Sequence, residues 1–264
     1  GYIAQSWEIG ANYIIFHLRD GVKWENRAPT KGRAVTADDV VFSLNRHKLS
    51  GSYLQKAYPA LAAAMSISKV DESTVRIDCT QQEMATLISM IDFMYIFPKD
   101  VIETYGDMND WERAIGTGPF WVQDYTPGVQ MYFERRDDYW ETNPVGPGQG
   151  DQLPYLDGVR VLIQPDPSTR DSLFTTGQLD IIAAEYDRAQ ALKKLTGVKY
   201  VTSASEAGAV ICFKLTNPDK PQYQDLRVRQ ALMLAIDHQK LVDELYEGEA
   251  EMLYWPLTDV KEYH

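Results

Sequence analysis

The chain has 264 residues, 44% hydrophobic and 24% charged, with 26 Lys and Arg against 38 Asp and Glu for a formal charge of −12. Its length suggests two domains and burial of roughly three-quarters of the unfolded surface. The 17 Gly, 13 Pro and 2 Cys exclude a collagen, a disordered tail and a disulfide-built mini-protein, no apolar run reaches the ~18–20 residues of a membrane span, and the acidic balance excludes a nucleic-acid binder that works by neutralising phosphates.

Both ends read as those of a trimmed chain. Gly1 to Glu8 carries no Met, basic n-region or apolar h-region, and Trp255 to His264 shows no helical pattern. Ile14, Phe16 and Leu18 alternate on one face of a strand over 13–19, and Asp20-Gly21 turns the chain into Val22-Lys23-Trp24. A loop follows over 26–32. Thr36 then caps a helix, with Asp39 three residues on as a capping-box variant and Val40, Val41 and Leu44 as its buried stripe. An Ala-rich helix is expected near 54–64, a hairpin from 67–70 and 74–79, and helices over 83–91 and 98–105. A second hairpin pairs 120–125 with 129–134. The run 143–154 holds three Pro and three Gly and is an exposed excursion. A buried strand at 159–163, a helix capped by Ser168 and ended by Gly177, and a strand at 179–183 would make a parallel strand–helix–strand unit. Helix over 187–195, strands at 198–201 and 209–215, a helix opened by Asp225 with Val228, Ala231, Leu232 and Ala235 on one stripe, and another capped by Asp237 through 246 complete the chain. The class is α/β, with mixed sheets and flanking helices, in two subdomains meeting near Gly116.

Little in the chain signals chemistry. His17, His47, His238 and His264 are scattered, with no HxxxH, HExxH or paired-Cys spacing, so no metal site is expected. Gly146-Pro147-Gly148-Gln149-Gly150 precedes Asp151 and Pro154 rather than Lys and a helix, so it is a surface loop and no phosphate cradle. There is no GxSxG elbow, and neither Cys has a catalytic signature. Asp38-Asp39 sits in the first turn of a helix, where the dipole favours it, and Glu247 to Glu251 is a solvated helix end. The sequence leaves the separation of carboxylates across a sugar cleft open. Sixteen Tyr, 6 Trp and 8 Phe mildly favour a binding cleft. Cys79 and Cys212 read as two buried, unpaired thiols.

Eight segments in order carry a resemblance. They are Ala4-Gln5-Ser6-Trp7-Glu8 with Phe16-His17-Leu18-Arg19-Asp20-Gly21-Val22-Lys23-Trp24, then Val35-Thr36-Ala37-Asp38-Asp39-Val40-Val41-Phe42-Ser43-Leu44, then Gly116-Thr117-Gly118-Pro119-Phe120. Glu134-Arg135-Arg136-Asp137-Asp138-Tyr139-Trp140, Pro154-Tyr155-Leu156-Asp157, Gly177-Gln178-Leu179-Asp180-Ile181 and Asp225-Leu226-Arg227-Val228-Arg229-Gln230-Ala231-Leu232 follow, running on to Ala235-Ile236-Asp237. Together they resemble the peptide/nickel (family 5) class of extracytoplasmic solute-binding proteins that serve ATP-binding-cassette importers. These are scaffold motifs, and Arg227 and Arg229 read as ties from a helix to acidic or carbonyl groups. The chain departs from the family in its length, in the loop 26–33 and in an apparent insertion at 143–150.

The resemblance implies a periplasmic-binding-protein-like type II fold, one lobe plus its inserted subdomain. Residues 1–116 would form a family-specific β-rich subdomain with helices and 117–264 an incomplete α/β lobe, the second ligand-binding lobe being absent from this chain. It implies a monomeric receptor that captures a small solute, a peptide first and an oligosaccharide second, and delivers it to the membrane permease of an importer. It implies no catalytic residue, no metal, no cofactor and no nucleic-acid partner. The location implied is extracytoplasmic, in the periplasm or at the outer face of the cytoplasmic membrane, with a lipid anchor on a preceding segment as one form of attachment. The strand leading into the Asp225 helix borders the cleft in this family, which places Ile211, Cys212 and Phe213 on the ligand-facing wall. A secreted carbohydrate-active hydrolase and a ligand-sensing module of a signalling system are the competing functions.

Overall fold

The computed structural model describes residues 3–201 and 212–250. Two compact units divide the chain, Gly1–Pro165 and Asp166–His264. Gly116, where a subdomain seam was expected, lies inside the first.

That unit opens with strands β1 (Ala4–Ile9) and β2 (Tyr13–Leu18), paired antiparallel. The alternation in β2 does what its pattern predicts: Ile14 and Leu18 are buried and Phe16 packs against the same core. Helix α1 (Ala37–His47) starts where Thr36 stays extended, and the Thr36 N–H donates to Asp39 Oδ2 at 3.1 Å, the reach-back half of a capping box. Val40 and Leu44 point into the core.

The expected Ala-rich helix is instead two, α2 (Tyr53–Ala57) and α3 (Pro59–Ala64). Pro59 has no N–H to donate and keeps the preceding residue out of the helical region, so Tyr58 sits at φ −134°, ψ 61°. Strands β3 (Ser66–Lys69) and β4 (Thr74–Asp78) form the hairpin, and β4 inserts beside β2 in a sheet of order β1-β2-β4-β3. Helices α4 (Met84–Met90) and α5 (Lys99–Tyr105) follow. Leu61, Val75, Ile77 and Leu87 close the core, with Cys79 beside them.

A second sheet in the same unit is built from β5 (Phe120–Thr126), β6 (Gln130–Arg135) and β7 (Gly158–Leu162), ordered β5-β6-β7. Its first hairpin turns at Pro127-Gly128, where Gly128 takes φ +72°, the left-handed conformation a side chain resists. Strand β7 is an edge, not the buried strand its apolar run suggested. Arg160, Val161 and Leu162 are exposed, because nothing described pairs on its far side. The excursion 143–154 is exposed as expected, and Asn143 closes it by exchanging backbone bonds with Asp151 and Gly150 at 2.8 Å.

The second unit holds α6 (Pro167–Thr175), α7 (Tyr186–Leu192), α8 (Leu226–Leu234) and α9 (His238–Lys240), the last running into a π turn over Leu241–Leu245. The cap of α6 is Asp166, not Ser168. Its carboxylate accepts the Thr169 N–H at 2.8 Å, and Pro167 fills the first helical position, where a missing N–H costs nothing. Asp225 and Asp237 cap α8 and α9 as their positions predict.

The strands expected at 179–183 and 198–201 are not formed, and Ile181 and Val201 are 88% and 94% exposed. The strand expected at 209–215 falls partly outside the described residues, and 212–215 is irregular. Among the described residues no parallel strand–helix–strand unit is formed, and every strand pair is antiparallel. Short apolar runs state a preference for burial but not a partner, and without one the ladder does not form. The fold remains α/β, sheets with flanking helices. None of its described helices is long and apolar enough to cross a membrane.

Candidate functional site

The ligand-wall residues inferred from resemblance are only partly visible. Ile211 lies outside the described residues. Cys212 is exposed rather than buried, and Phe213 is half-buried with its ring 5.2 Å from that of Tyr223, tilted by 51°. Tyr223 is held in turn by the start of α8. Arg229 donates to the carbonyls of Tyr223 and Gln224 at 2.6 and 3.0 Å, and Arg227 grips the Asp225 carboxylate. Both arginines thus do the tying work their sequence context suggested.

The two thiols differ sharply. Cys79 sits in the core of the first unit, where burial pushes its thiol up, while Cys212 is open to solvent. We expect a thiol reagent to label one cysteine in the native protein, Cys212, and two after denaturation. No reactive thiol in denaturant would show a disulfide and overturn this.

Carboxylates and histidines mostly have structural partners. Asp38 pairs with Lys69 at 2.8 Å on the surface. Asp39 is buried and accepts two bonds from Arg33, one from Trp24 Nε1 at 3.3 Å, and one each from the Thr36 and Lys99 N–H groups. Burial would push its carboxyl up, but the Arg33 hydrogen bonds and the two backbone N–H donors outweigh that and hold it below the usual value. His17 pairs with Glu8, and His47 bonds the Tyr95 carbonyl. Among the described residues no group of His, Cys, Asp and Glu is placed to hold a metal.

Three motif segments converge on a second buried charge cluster. The Arg136 side chain is 3% exposed and donates to the carbonyls of Lys23, Trp24, Gly116 and Gly118 at 3.2–3.4 Å, and to Asp138 at 3.0 Å. Beside it, Glu25 accepts the Gly116 N–H and Arg27 Nε, both at 2.7 Å. Arg27 goes on to the carbonyls of Glu112 and Ala114. Burial raises the Glu25 carboxyl, against the pull of the Gly116 N–H and the Arg27 and Arg136 guanidiniums. Sequence reasoning did not single these residues out. Arg136 looks like its neighbour Arg135, which is exposed and pairs with Asp137 and Asp157.

Two grooves stand out among the described residues. One of about 120 Å³ in the first unit is lined by apolar side chains including Phe16, Leu18, Val40, Leu44 and Met94. The other, about 480 Å³, is walled only by residues between Ile236 and Leu245, one side of a single helical segment. A small-molecule site normally encloses most of its ligand, and neither groove does.

The decisive observation is similarity to known proteins. The family model for bacterial extracellular solute-binding proteins, family 5 (middle), matches residues 1–263. The chain belongs to this family. It is 30% identical to the heme-binding protein A of Haemophilus influenzae over 97% of this chain and 48% of that protein. It is 29% identical to the dipeptide-binding protein of Escherichia coli over 93% of this chain and 47% of that one. Among solved structures, the Bacillus subtilis oligopeptide-binding protein AppA in complex with a nonapeptide superposes with a TM-score of 0.74 at 23% identity, covering 97% of this chain and 49% of that one. Campylobacter jejuni NikZ in complex with Ni(L-His) gives 0.74 at 22% identity, covering 97% and 48%. The chain shares the fold of these two over its own length. The chain spans about half the length of the relatives it matches.

Proposed function

We propose that this chain is part of a receptor that captures a small solute outside the cytoplasmic membrane and hands it, unaltered, to the permease of an ATP-binding-cassette importer. The single observation carrying this reading is the family match along residues 1–263. A peptide is the favoured cargo, because relatives and structural neighbours are named for dipeptides and an oligopeptide, and one was solved with a nonapeptide. Oligosaccharide is the second class of cargo in the reading. The scattered histidines and the structurally engaged carboxylates fit a protein that binds without turnover. The test is to incubate the full-length protein with peptide and oligosaccharide libraries. A bound fraction recovered chemically unchanged, at no more than one solute per protein, supports the reading. Product in stoichiometric excess, lost on changing one carboxylate, would establish a hydrolase instead.

The site is proposed to be shared between two lobes, with this chain supplying one lobe and its inserted subdomain and the second lobe absent from it. Ile211, Cys212 and Phe213 are proposed to face the solute. Phe213 is half-buried, its ring 5.2 Å from that of Tyr223. Phe213→Ala in the full-length protein is expected to weaken solute binding by about tenfold, from the loss of roughly 1–2 kcal/mol of apolar contact. Unchanged affinity with lowered stability would remove Phe213 from the site.

A further inference from the structure

The cluster around Arg136 joins residues distant in sequence. Arg136 reaches back 113 positions to Lys23, and Glu25 reaches forward 91 positions to Gly116. Between the two sheets of the first unit the chain passes through Gly116-Thr117-Gly118-Pro119, a composition suited to a hinge. Yet neither glycine uses its freedom. Gly116 and Gly118 do not take positive φ, and a Cβ on either would meet its nearest neighbour at 3.6 and 3.8 Å, ordinary contact.

We propose that Arg136 and Glu25 form a lock that closes this glycine-bearing crossing, so that the β1–β4 sheet with its helices and the β5–β7 sheet move as one body. Arg136 bonds the carbonyls of Gly116 and Gly118 on one side and those of Lys23 and Trp24 on the other. Its own N–H donates to the Pro119 carbonyl at 2.9 Å. Glu25 and Gly116 exchange two further bonds, through the Glu25 N–H to the Gly116 carbonyl and the Gly116 N–H to the Glu25 carboxylate. The charges at the joint are matched: Glu25 faces Arg27 and Arg136, and Asp138 faces Arg136. Away from water each of these bonds is strengthened, and losing the guanidinium orphans several carbonyls together. In a receptor whose lobes close on a solute, such a lock confines closure to the inter-lobe crossing.

Amide hydrogen exchange on the full-length protein tests this. Arg136→Met, which keeps the stem and removes the donors, is expected to speed exchange over 23–25 and 116–118 at least about tenfold more than over 75–77 in strand β4. Should that variant fail to accumulate folded, Glu25→Gln carries the same comparison. It keeps an acceptor for the Gly116 N–H but loses the Arg27 pair, and the expected differential is at least about threefold. A smaller differential, whether exchange speeds up everywhere alike or nowhere, overturns the lock and leaves Arg136 an ordinary contributor to stability.

Discussion

Replacing Asp39 by Asn is expected to destabilise the first unit by about 3 kcal/mol at neutral pH. Removing one partner of a buried ion pair costs roughly 3–5 kcal/mol, because the other charge is left desolvated. The low end applies, since 34% of the Arg33 side chain reaches solvent and Asp100 remains beside it. The same change weakens the cap of α1 and the bond from Trp24. For a unit of this size the loss corresponds to a fall of roughly 6–12 °C in Tm. The pH dependence has a definite sign. The folded value of Asp39 lies below its ordinary 3.8, so its contribution is complete above that value and is lost as pH falls through the folded one. Glu25 runs the other way. Its folded value is raised above 4.5, so its contribution is present below 4.5 and is lost as pH rises through the folded value. Of these two buried carboxyls, Asp39 is therefore the acid-sensitive one. Thermal unfolding of both proteins should show the gap near pH 7 shrinking as pH drops below about 3.8. A gap under about 1 kcal/mol at neutral pH, the worth of an exposed pair, would show that the cluster does not hold α1 in place.

The second large effect concerns binding. The 264-residue chain is expected to hold its solute at least about a hundredfold more weakly than the full-length protein, a difference of ~2.7 kcal/mol. Small-molecule sites enclose about 70–90% of the ligand, and the proposed site is completed from a second lobe that closes over it. A micromolar complex is worth about −8.2 kcal/mol, and half of that, about −4.1, is only millimolar. The entropic cost of association does not halve with the contacts, which widens the gap further. Among the described residues, the groove along 236–245 is walled from one side only. Calorimetry on both proteins with one peptide decides it, and equal affinities would place the whole site within these residues.

Local signals were the legible ones. The Thr36–Asp39 box, the caps at Asp225 and Asp237, and the turns at Gly21 and Gly128 rest on neighbours a few residues apart, and each element they start or reverse is present. Signals needing a distant partner were not legible. Asp39 reads as an N-terminal acid, but Arg33 and the bond from Trp24 make it a buried ion, and Asp100, 67 positions from Arg33, completes the cluster. The apolar run 179–183 looks like a strand until its 88% exposed Ile181 shows that no edge has taken it up. The Ala-rich run 54–64 favours helix throughout, and Pro59 breaks it by keeping Tyr58 out of the helical region. Ile211, Cys212 and Phe213 came from resemblance alone, and no spacing could have selected them. Arg136 shows the same limit, since only the fold separates it from Arg135.

Native mass spectrometry of the full-length protein, purified without refolding from the cells that make it, tests the central claim most directly. The account predicts a mass increment from one copurified solute per protein, released intact on gentle activation and composed of amino acids. A protein that carries no solute and takes up none from a peptide mixture, or that converts what it is given, would contradict it.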